Sequence, residues 1–414
     1  MRAFEKFFDK LKPNFEKGGK FEKFYAFYEA ADTFILTPPD KTKKNVHIAD
    51  SLDFKRTMIM VAWALLPCVF MAMYNSGYQA NLALHNDPDL IASGWRAGIM
   101  GFLANSSFLG TILGWFGASI EMHPGSFLGN MIYGALFFLP AYIVTMTVGG
   151  LWEALFAATR GHEINEGFVV SGLLFPLTLP ASIPLWQVAV GISFGVVIGK
   201  EVFGGTGKNI FNPALTARVF LFFAYPAQIS GDAVWTAVDG HTGATALSEL
   251  VSGGVAALST SWSDAFWGFI PGSMGETSTL ACLFGAAVLI ATGIGSWRIM
   301  LSCTIGMILT SMLLNSIGSE TNQMMNVPWS WHFVLGSFAF ATVFMATDPV
   351  SATQTTMGKW VYGFLIGCLG LLVRAINPAY PEGWMLAILF MNAFAPLIDW
   401  FVLNSNVKRR QRRA

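Results

Sequence analysis

The chain has 414 residues, of which 54% are hydrophobic and only 12% are charged, and its formal net charge is zero. Soluble globular proteins carry about 25% charged residues, so this composition disfavours a soluble enzyme and predicts a membrane protein. A zero net charge gives no reason to expect nucleic acid as a partner.

The chain begins with a polar, charged arm over residues 1–56, ahead of the first long apolar stretch. Within this arm, Phe21, Phe24, Tyr25 and Tyr28 recur at helical spacing between charged residues. The pattern is typical of an amphipathic helix that lies on a membrane surface or on a helical bundle. A lid over a site at the cytoplasmic interface is the alternative interpretation.

Ten apolar stretches follow, each long enough to cross about 30 Å of hydrocarbon as a helix. They lie near residues 57–75, 126–149, 165–184, 186–203, 210–227, 278–296, 299–317, 331–347, 360–377 and 383–403. Prolines interrupt the third stretch, and Arg218 lies within the fifth. The sequence predicts an all-α, polytopic membrane protein of about ten transmembrane helices, with its membrane domain over 57–403 and a basic tail over 404–414.

Lysine and arginine determine the predicted orientation, because the cytoplasmic loops of membrane proteins are enriched in both. Residues 1–56 hold twelve of them and the tail over 404–414 holds five, whereas residues 219–297 hold none. Both termini are therefore predicted to face the cytoplasm of a bacterial inner membrane, and the loop at about 228–277 is predicted to be extracytoplasmic. Arg96 and Arg374 are the exceptions to this pattern.

The long outer loop divides the ten predicted spans into five and five. An odd number of spans in each half means that any internal repeat must be inverted across the membrane. The segment 212–217 resembles the segment 348–353, and each lies beside a predicted span, although similarities of six residues also arise by chance. We expect two inverted five-helix halves.

The predicted outer loop contains the sequence Asp-Gly-His-Thr-Gly-Ala-Thr over residues 239–245. Glycine and alanine around hydroxyl side chains make a turn whose backbone a bulky reactant can approach. On residue chemistry alone, an ordinary exposed turn is the alternative.

This motif resembles the acceptor site of bacterial flavin transferases, which attach FMN from FAD through its phosphate to the last hydroxyl residue. The resemblance implies a covalent phosphoester of FMN on Thr245 and a flavin transferase as a partner during maturation. Gly243 and Ala244 would leave room for the reactants, and Asp239 would help to place the loop in the transferase. A cofactor held in this way needs no Rossmann domain.

The resemblance extends over nearly the whole chain. This chain resembles the B-subunit family of the bacterial sodium-translocating NADH:quinone oxidoreductases in five segments: 200–209, 212–215, 222–232, 345–352 and 377–383. The D-subunit of the related ferredoxin:NAD oxidoreductase shares the flavin motif, but the long cytoplasmic arm favours the B-subunit family. That family implies electron transfer from NADH, oxidised in another subunit, to ubiquinone, coupled to Na⁺ export.

Such a complex implies several partners besides ubiquinone, Na⁺ and membrane lipid. They are an NADH-oxidising subunit with a flavin and an iron–sulfur centre, a second FMN subunit and small membrane subunits. Two rival functions remain open at this point. The five-plus-five organisation and the proline-rich run 175–180 also resemble urea-channel proteins, and a flavin-free assembly scaffold is the other rival.

Asn209 and Asn212 are the candidates for binding a second, noncovalent flavin. Two amides at the start of a span that Pro213 interrupts are costly in a membrane unless they are hydrogen-bonded. The resemblance implies riboflavin near this cytoplasmic end, and the edge of its ring offers matching donors and acceptors. The neighbouring segment 204–208 fails the phosphate-loop pattern, because Val202 and Asn209 stand at two of its required positions.

Phe220 and Phe222, in the fifth predicted span, and Gly149 and Gly150, in the second, are the candidates for a quinone site. The family resemblance implies this role for the aromatic residues and the double glycine. For aromatic residues in a span, packing between helices or contact with lipid is the alternative.

Glu153, Asp348 and Asp399 lie in predicted spans or at their ends. An ionised carboxylate at such a depth is expensive unless a partner or a cation offsets its charge. Carboxylate oxygens suit a hard cation, so the three acids are candidates for a Na⁺ path, and helix capping is the alternative. The six histidines and four cysteines show no metal-binding spacing.

Overall fold

The computed structural model describes residues 10–15, 19–21, 25, 28, 54–87, 89–90, 92, 94–106, 120–160, 167–377 and 383–413. Most of the arm over residues 1–56 lies outside these ranges, and so does much of the amphipathic helix predicted there. Within the described ranges, the regular structure is helical and contains no strand.

The helices of the first half are α1 (Phe54–Asn86), α2 (Gly94–Ala104), α3 (Phe127–Arg160), α4 (Gly167–Leu177), α5 (Leu185–Val197) and α6 (Pro213–Ala224). The start of α6 shows how the sequence determines a helix boundary. Asn212 Oδ1 accepts hydrogen bonds from the backbone N–H groups of Ala214 and Leu215, at 3.0 and 3.3 Å. Pro213 occupies the first helical position, where a missing N–H costs nothing.

The long loop between the halves contains two short helices, α7 (Ala246–Gly253) and α8 (Trp262–Trp267). The helices of the second half are α9 (Thr279–Ala291), α10 (Trp297–Ile317), α11 (Trp329–Val334), α12 (Thr356–Ile376) and α13 (Gly383–Gln411). Hydroxyl side chains cap several of them. Ser278 accepts from a backbone N–H at the start of α9, and Thr355 does so at the start of α12.

Among the described residues, six helical stretches are long and apolar enough to cross a membrane: Thr57–Asn86, Phe127–Arg160, Leu185–Phe203, Trp297–Ile317, Thr356–Ile376 and Gly383–Gln411. The other four predicted spans, near 165–184, 210–227, 278–296 and 331–347, contain shorter helices. The all-α, polytopic fold is confirmed. The count of ten spans stays a prediction.

The third predicted span stops being helical after Leu177. Proline rings such as Pro180 lack an N–H and cannot continue the helical ladder. The backbone N–H groups of Met274 and Gly275 donate instead to the carbonyl oxygens of Leu179 and Leu177, at 3.0 and 2.7 Å. These bonds satisfy backbone groups where the helix ends, as a membrane interior requires.

The eighth predicted span is also discontinuous. After α11 the chain leaves helical geometry and returns to it only over residues 338–345, which end in a π-helical turn. At the break, Arg374 of α12 donates to the carbonyl oxygens of Leu335, at 3.1 Å, and of Gly336. A Cβ on Gly336 would lie 2.2 Å from the Arg374 guanidinium, so this close contact requires glycine.

The same helix contacts recur in both halves. In the first half α3 packs against α5 and α5 against α6, and in the second half α10 packs against α12 and α12 against α13. The interrupted segment of each half contacts the first and last helix of its own half. Such a repetition is what a five-plus-five organisation requires. The inversion of one half relative to the other across the membrane stays a prediction.

Candidate functional site

Three cavities follow one another along the contact between the two halves. The loop-side cavity lies beside α7, the central cavity beside Arg218 of α6, and the arm-side cavity beside the start of α1. Residues from both halves line each cavity. Counting their open mouths, the loop-side, central and arm-side cavities measure about 740, 290 and 670 Å³.

Thr245 is the N-cap residue of α7, and it lines the loop-side cavity. Its Oγ1 accepts a hydrogen bond from the backbone N–H of Ser248 and donates to the Ser248 hydroxyl, both at 3.2 Å. That hydroxyl donates in turn to the Asp232 carboxylate at 3.0 Å. The N-terminus of a helix favours an anion such as phosphate, because its N–H groups point outward. A phosphoester on Thr245 would lie at such a position.

The rest of the flavin motif forms the turn that leads into α7. The backbone N–H of Gly243 donates to the Asp232 carbonyl oxygen at 3.0 Å. Gly240 has a φ of +80°, a left-handed conformation that glycine adopts without strain. Thr242 and Ala244 are exposed. A bulky reactant can therefore reach the motif from solvent.

Asp239 lines a separate cavity, which Arg96 of α2 and Tyr133 also line. Arg96 Nε donates to the Leu136 carbonyl oxygen at 3.0 Å, and its guanidinium lies 4.4 Å from the centre of the Phe137 ring. Burial lowers the pKa of Arg96, and the nearby Tyr133 hydroxyl and Asp239 carboxylate oppose this shift. These contacts hold a cation beside the flavin motif, at the position where the lysine and arginine pattern has an exception.

The loop-side cavity is lined by both apolar and polar side chains. Phe222, Trp235 and Leu247 are among the apolar side chains, and Glu276 and Ser337 are among the polar groups. A lining of this composition is typical of a small-molecule site. The predicted quinone residue Phe222 therefore faces the same cavity as the predicted flavin attachment site.

Both predicted riboflavin residues line the arm-side cavity. Asn209 and Asn212 are only 8% and 4% exposed. Asn209 Nδ2 donates to the Phe211 carbonyl oxygen at 2.9 Å, and Asn212 caps α6. Thr206 lines the same cavity, and its buried hydroxyl has no hydrogen-bond partner among the described residues. A buried polar group of this kind calls for a bound polar molecule or water.

Two ion pairs flank the arm-side cavity: the first is buried, whereas the arginine side chain of the second is 36% exposed. Lys200, which lines it, pairs with the predicted Na⁺ ligand Glu153 of α3. Arg160, two turns further along α3, pairs with Glu201 at 3.3 Å. Because Lys200 and Glu201 are neighbours in the chain, the two pairs tie α3 to the turn that follows α5. Removing one member of a buried pair leaves the other charge uncompensated, which is strongly destabilising.

The other two predicted acids lie in different surroundings. Asp348 lines the arm-side cavity and accepts a hydrogen bond from the Ser351 hydroxyl at 2.8 Å. Asp399 of α13 accepts from the backbone N–H groups of Gln354 and Thr355, at 2.7 and 3.0 Å, and so fixes the start of α12. Across the described ranges, no three His, Cys, Asp or Glu side chains gather as a metal site.

The four predicted quinone residues are distributed over different places. Phe220 stacks on Phe194 of α5 with ring centres 4.4 Å apart, whereas Phe222 lines the loop-side cavity. A Cβ on Gly149 would lie 2.2 Å from a phenylalanine ring of α4, so Gly149 permits close packing. A Cβ on Gly150 would meet nothing within 4 Å. The structure does not bring these residues to one pocket.

Comparison with known proteins gives the family. A sequence model of the NQR2, RnfD, RnfE family matches residues 41–408, which are most of the chain. The chain belongs to this family. A relative from Chromohalobacter salexigens, named as the B-subunit of Na(+)-translocating NADH-quinone reductase, is 58% identical over 407 residues. These residues are 98% of this chain and 95% of the relative.

Other members of the NQR2, RnfD, RnfE family give the same result. Proteins from Stutzerimonas stutzeri and Pseudomonas aeruginosa, which are also named as the B-subunit of that reductase, are 57% and 54% identical to this chain. The aligned regions cover 98% and 97% of this chain, and the same shares of the two relatives. The resemblance to the B-subunit family inferred from the sequence is confirmed.

The structure contains a buried ion pair, between Arg218 and Glu276, that the sequence analysis did not predict. Arg218 of α6 lies 3.6 Å from Glu276, which precedes α9. A cation within an apolar stretch signals a partner, because its charge is costly at membrane depth. The signal does not say which acid is the partner, since the two residues are far apart in the chain and meet only through the fold.

Proposed function

We propose that this chain is the flavin-carrying membrane subunit of a Na⁺-translocating NADH:quinone oxidoreductase of the bacterial inner membrane. It passes electrons, taken from NADH by another subunit, through covalent FMN and noncovalent riboflavin to ubiquinone, and this transfer drives Na⁺ export. The names of relatives that are 54–58% identical support the reaction and the ion. One observation supports the flavin assignment most directly. The hydroxyl of Thr245 lies at the N-terminus of α7 and lines the loop-side cavity, where a reactant can reach it.

Thr245 would hold FMN through a phosphoester, with the flavin ring in the loop-side cavity. FMN supplies one- and two-electron transfer when it is bound. The N–H groups at the start of α7 would stabilise the charge of such a phosphate. Phe222 and Trp235 offer apolar surface to a ring and exclude water from it. The flavin transferase would recognise the preceding turn with Asp239, Gly243 and Ala244.

Asn209, Asn212 and Thr206 would hold riboflavin in the arm-side cavity. Amide groups donate and accept hydrogen bonds, so they match a ring edge that carries both kinds of group. The cavity is lined by both polar and apolar side chains, as small-molecule sites are. The Lys200 ammonium in the lining is paired with Glu153, so this part of the site holds a buried charge pair and no net positive charge.

Ubiquinone and Na⁺ complete the proposal. For ubiquinone, Gly149, Gly150, Phe220 and Phe222 remain the candidate residues, and Gly150 has the more open surroundings of the two glycines. For Na⁺, the candidate ligands are three carboxylates, whose oxygens suit a hard cation. They are Glu153 beside the arm-side cavity, Asp348 in its lining, and Asp399 at the start of α12.

The proposal implies an orientation and a set of partners. Both termini face the cytoplasm, and the loop over 228–277 faces the other side, where the flavin transferase acts. NADH oxidation takes place in a subunit with a flavin and an iron–sulfur centre, and a second FMN subunit and small membrane subunits complete the complex. Large exposed side chains on α13, such as Phe390, Trp400 and Phe401, offer contact surface to lipid or to those subunits.

The test is Na⁺ uptake by the purified complex in proteoliposomes, with NADH as donor and a ubiquinone as acceptor. The wild-type complex should take up Na⁺ in proportion to quinone reduced. Thr245→Ala should abolish quinone reduction and Na⁺ uptake while NADH oxidation by an artificial acceptor continues. Thr242→Ala, at an exposed hydroxyl of the same turn, is the matched control and should keep both activities.

Two outcomes would contradict the proposal. If the wild-type complex reduces quinone without taking up Na⁺, the proposed Na⁺ transport is wrong. If the Thr245→Ala complex keeps full quinone reductase activity, electrons do not pass through a flavin on Thr245. A urea-channel-like transporter or an assembly scaffold would show no Na⁺ uptake that depends on NADH.

A further inference from the structure

A buried ion pair separates the loop-side cavity from the central cavity. The Arg218 guanidinium lies 3.6 Å from the Glu276 carboxylate and donates to the Ser273 hydroxyl at 3.3 Å. The side chains of Arg218 and Glu276 are only 2% and 9% exposed. Glu276 lines both cavities, and Arg218 lines the central one. Glu276 therefore lies at the wall that the two cavities share, with Arg218 directly behind it.

Ser337 holds the carboxylate of this pair in place. Its hydroxyl donates to Glu276 Oε2 at 2.8 Å. Its φ of +67° is the only left-handed value of a non-glycine residue in the described part of the chain. Such a conformation is strained and persists only where the surroundings enforce it, which is common at functional sites. The strained residue lies at the break in the eighth predicted span, where the backbone is not helical.

The central cavity also approaches the arm-side cavity. Leu215 and Met345 line the central cavity, and Pro213 and Phe344, their near neighbours in the chain, line the arm-side cavity. The central cavity is the smallest of the three. The buried indole N–H of Trp384, in its lining, has no hydrogen-bond partner within the described ranges. A row of three cavities thus runs from α7 to the start of α1.

We propose that Arg218 and Glu276 form the gate of the Na⁺ path and that Ser337 is its latch. A guanidinium in a narrow, buried passage repels cations, so the path is closed while Arg218 keeps its place. Glu276 keeps it there by charge attraction and becomes an oxygen ligand for Na⁺ when the guanidinium moves aside. Only ions and side chains move in this step. The inference rests on the proposed Na⁺ transport.

Substitutions of the two gate residues should have opposite effects on the entry of Na⁺ into the path. Arg218→Met leaves a carboxylate in the path, which attracts Na⁺. Glu276→Gln leaves a guanidinium in the path, which the Ser273 hydroxyl still holds there and which repels Na⁺. A pair with a purely structural role would give the same defect in both variants, because each leaves one buried charge uncompensated.

The experiment follows radioactive sodium in proteoliposomes that contain the purified complex, with and without NADH. In the Arg218→Met complex, Na⁺ leak without NADH should rise by about tenfold or more, since a small loss of barrier height has this effect on a rate. Its Na⁺ uptake per quinone reduced should fall. In the Glu276→Gln complex, the leak should stay at the wild-type level while uptake driven by NADH falls. Arg218→Lys, which keeps the charge, should not leak.

Arg160→Met is a control for the loss of an arginine that pairs with a buried glutamate, although the Arg160 side chain is itself 36% exposed. Arg160 also pairs with a glutamate, at 3.3 Å, but it is not among the described residues that line the three cavities. This variant should not leak. Should Arg218→Met fail to assemble, Ser337→Gly decides, because glycine adopts a φ of +67° without strain and the chain should fold. Without the hydroxyl the Glu276 carboxylate, still paired with Arg218, can swing and carry the guanidinium out of the passage, so the leak should rise.

The gate proposal is wrong if the Arg218→Met complex shows no extra Na⁺ leak and keeps its Na⁺ uptake per quinone reduced. It is also wrong if the Arg218→Met and Glu276→Gln complexes leak equally. Where Ser337→Gly decides, a tight and coupled complex would overturn it as well. All of these results leave the proposed pump in place. Absence of NADH-driven Na⁺ uptake in the wild-type complex would instead overturn the proposed function.

Discussion

The loop-side and arm-side cavities both lie between the two halves, yet their linings differ in kind. The loop-side cavity opens beside one hydroxyl at a helix N-terminus, Thr245. The arm-side cavity has two buried amides, an orphaned hydroxyl and a buried ammonium, from Asn209, Asn212, Thr206 and Lys200. A covalent bond needs one reachable nucleophile, whereas noncovalent binding spreads over several polar groups. One substitution should therefore empty the first cavity and only weaken binding in the second.

The largest effect is expected from Thr245→Ala. Without the hydroxyl no phosphoester forms, so covalent FMN should be absent while riboflavin in the arm-side cavity remains. Thr245→Ser restores a hydroxyl and should restore the FMN. Fluorescence of the chain on a denaturing gel measures the covalent flavin, and extraction of the native complex measures riboflavin. Persistent fluorescence of the Thr245→Ala chain on the gel would reject this residue as the attachment site.

The next effect concerns the charges beside the arm-side cavity. Lys200→Met leaves the Glu153 carboxylate buried without its ammonium partner, which should cost about 3–5 kcal/mol of stability. The double change Lys200→Met with Glu153→Gln removes both charges and should recover much of the loss. Thermal unfolding of the purified complex measures both variants. Equal Tm values for the single and double variants would show that the pair is not coupled.

A smaller effect is expected from the two amides. Asn209→Ala and Asn212→Ala should each lower bound riboflavin and leave FMN on Thr245 unchanged. Asn212→Ala also removes the N-cap of α6, at a cost of about 1 kcal/mol. Asn212→Ser separates the two effects, because serine keeps the cap but lacks the amide. Unchanged riboflavin in extracts of all three variants would reject the arm-side site.

The smallest effect distinguishes the acids. Asp348→Asn changes the lining of the arm-side cavity, so it should raise the Na⁺ concentration for half-maximal quinone reductase activity if Asp348 binds the ion. Asp399→Asn weakens the contact that fixes the start of α12, so it should lower the amount of assembled complex. Titration with Na⁺, normalised to bound FMN, measures both. An unchanged half-saturation in both variants would assign both acids to structure.

The sequence was sufficient to predict the helical membrane fold, the family and a turn with an accessible hydroxyl, because these depend on composition and on local motifs. It was not sufficient where the outcome depends on long-range contacts. The helix breaks at Leu177 and Leu335 are completed by backbone and arginine groups from elsewhere in the chain. The pairing of Arg218 with Glu276 has the same origin. The four quinone candidates were predicted on only two helices. Within one of these helices, however, Phe220 stacks on Phe194 whereas Phe222 lines the loop-side cavity.

The central claim is that Thr245 carries a flavin and that a second flavin is bound without a covalent bond. Mass spectrometry of the denatured chain tests it most directly. No Lys or Arg lies between Arg218 and Arg298, so trypsin leaves the motif in one long peptide that a second protease can shorten. We predict one FMN phosphoester, located at Thr245 by fragmentation, and riboflavin only in the released fraction. An unmodified Thr245 peptide, or FMN on Thr242, would contradict the account.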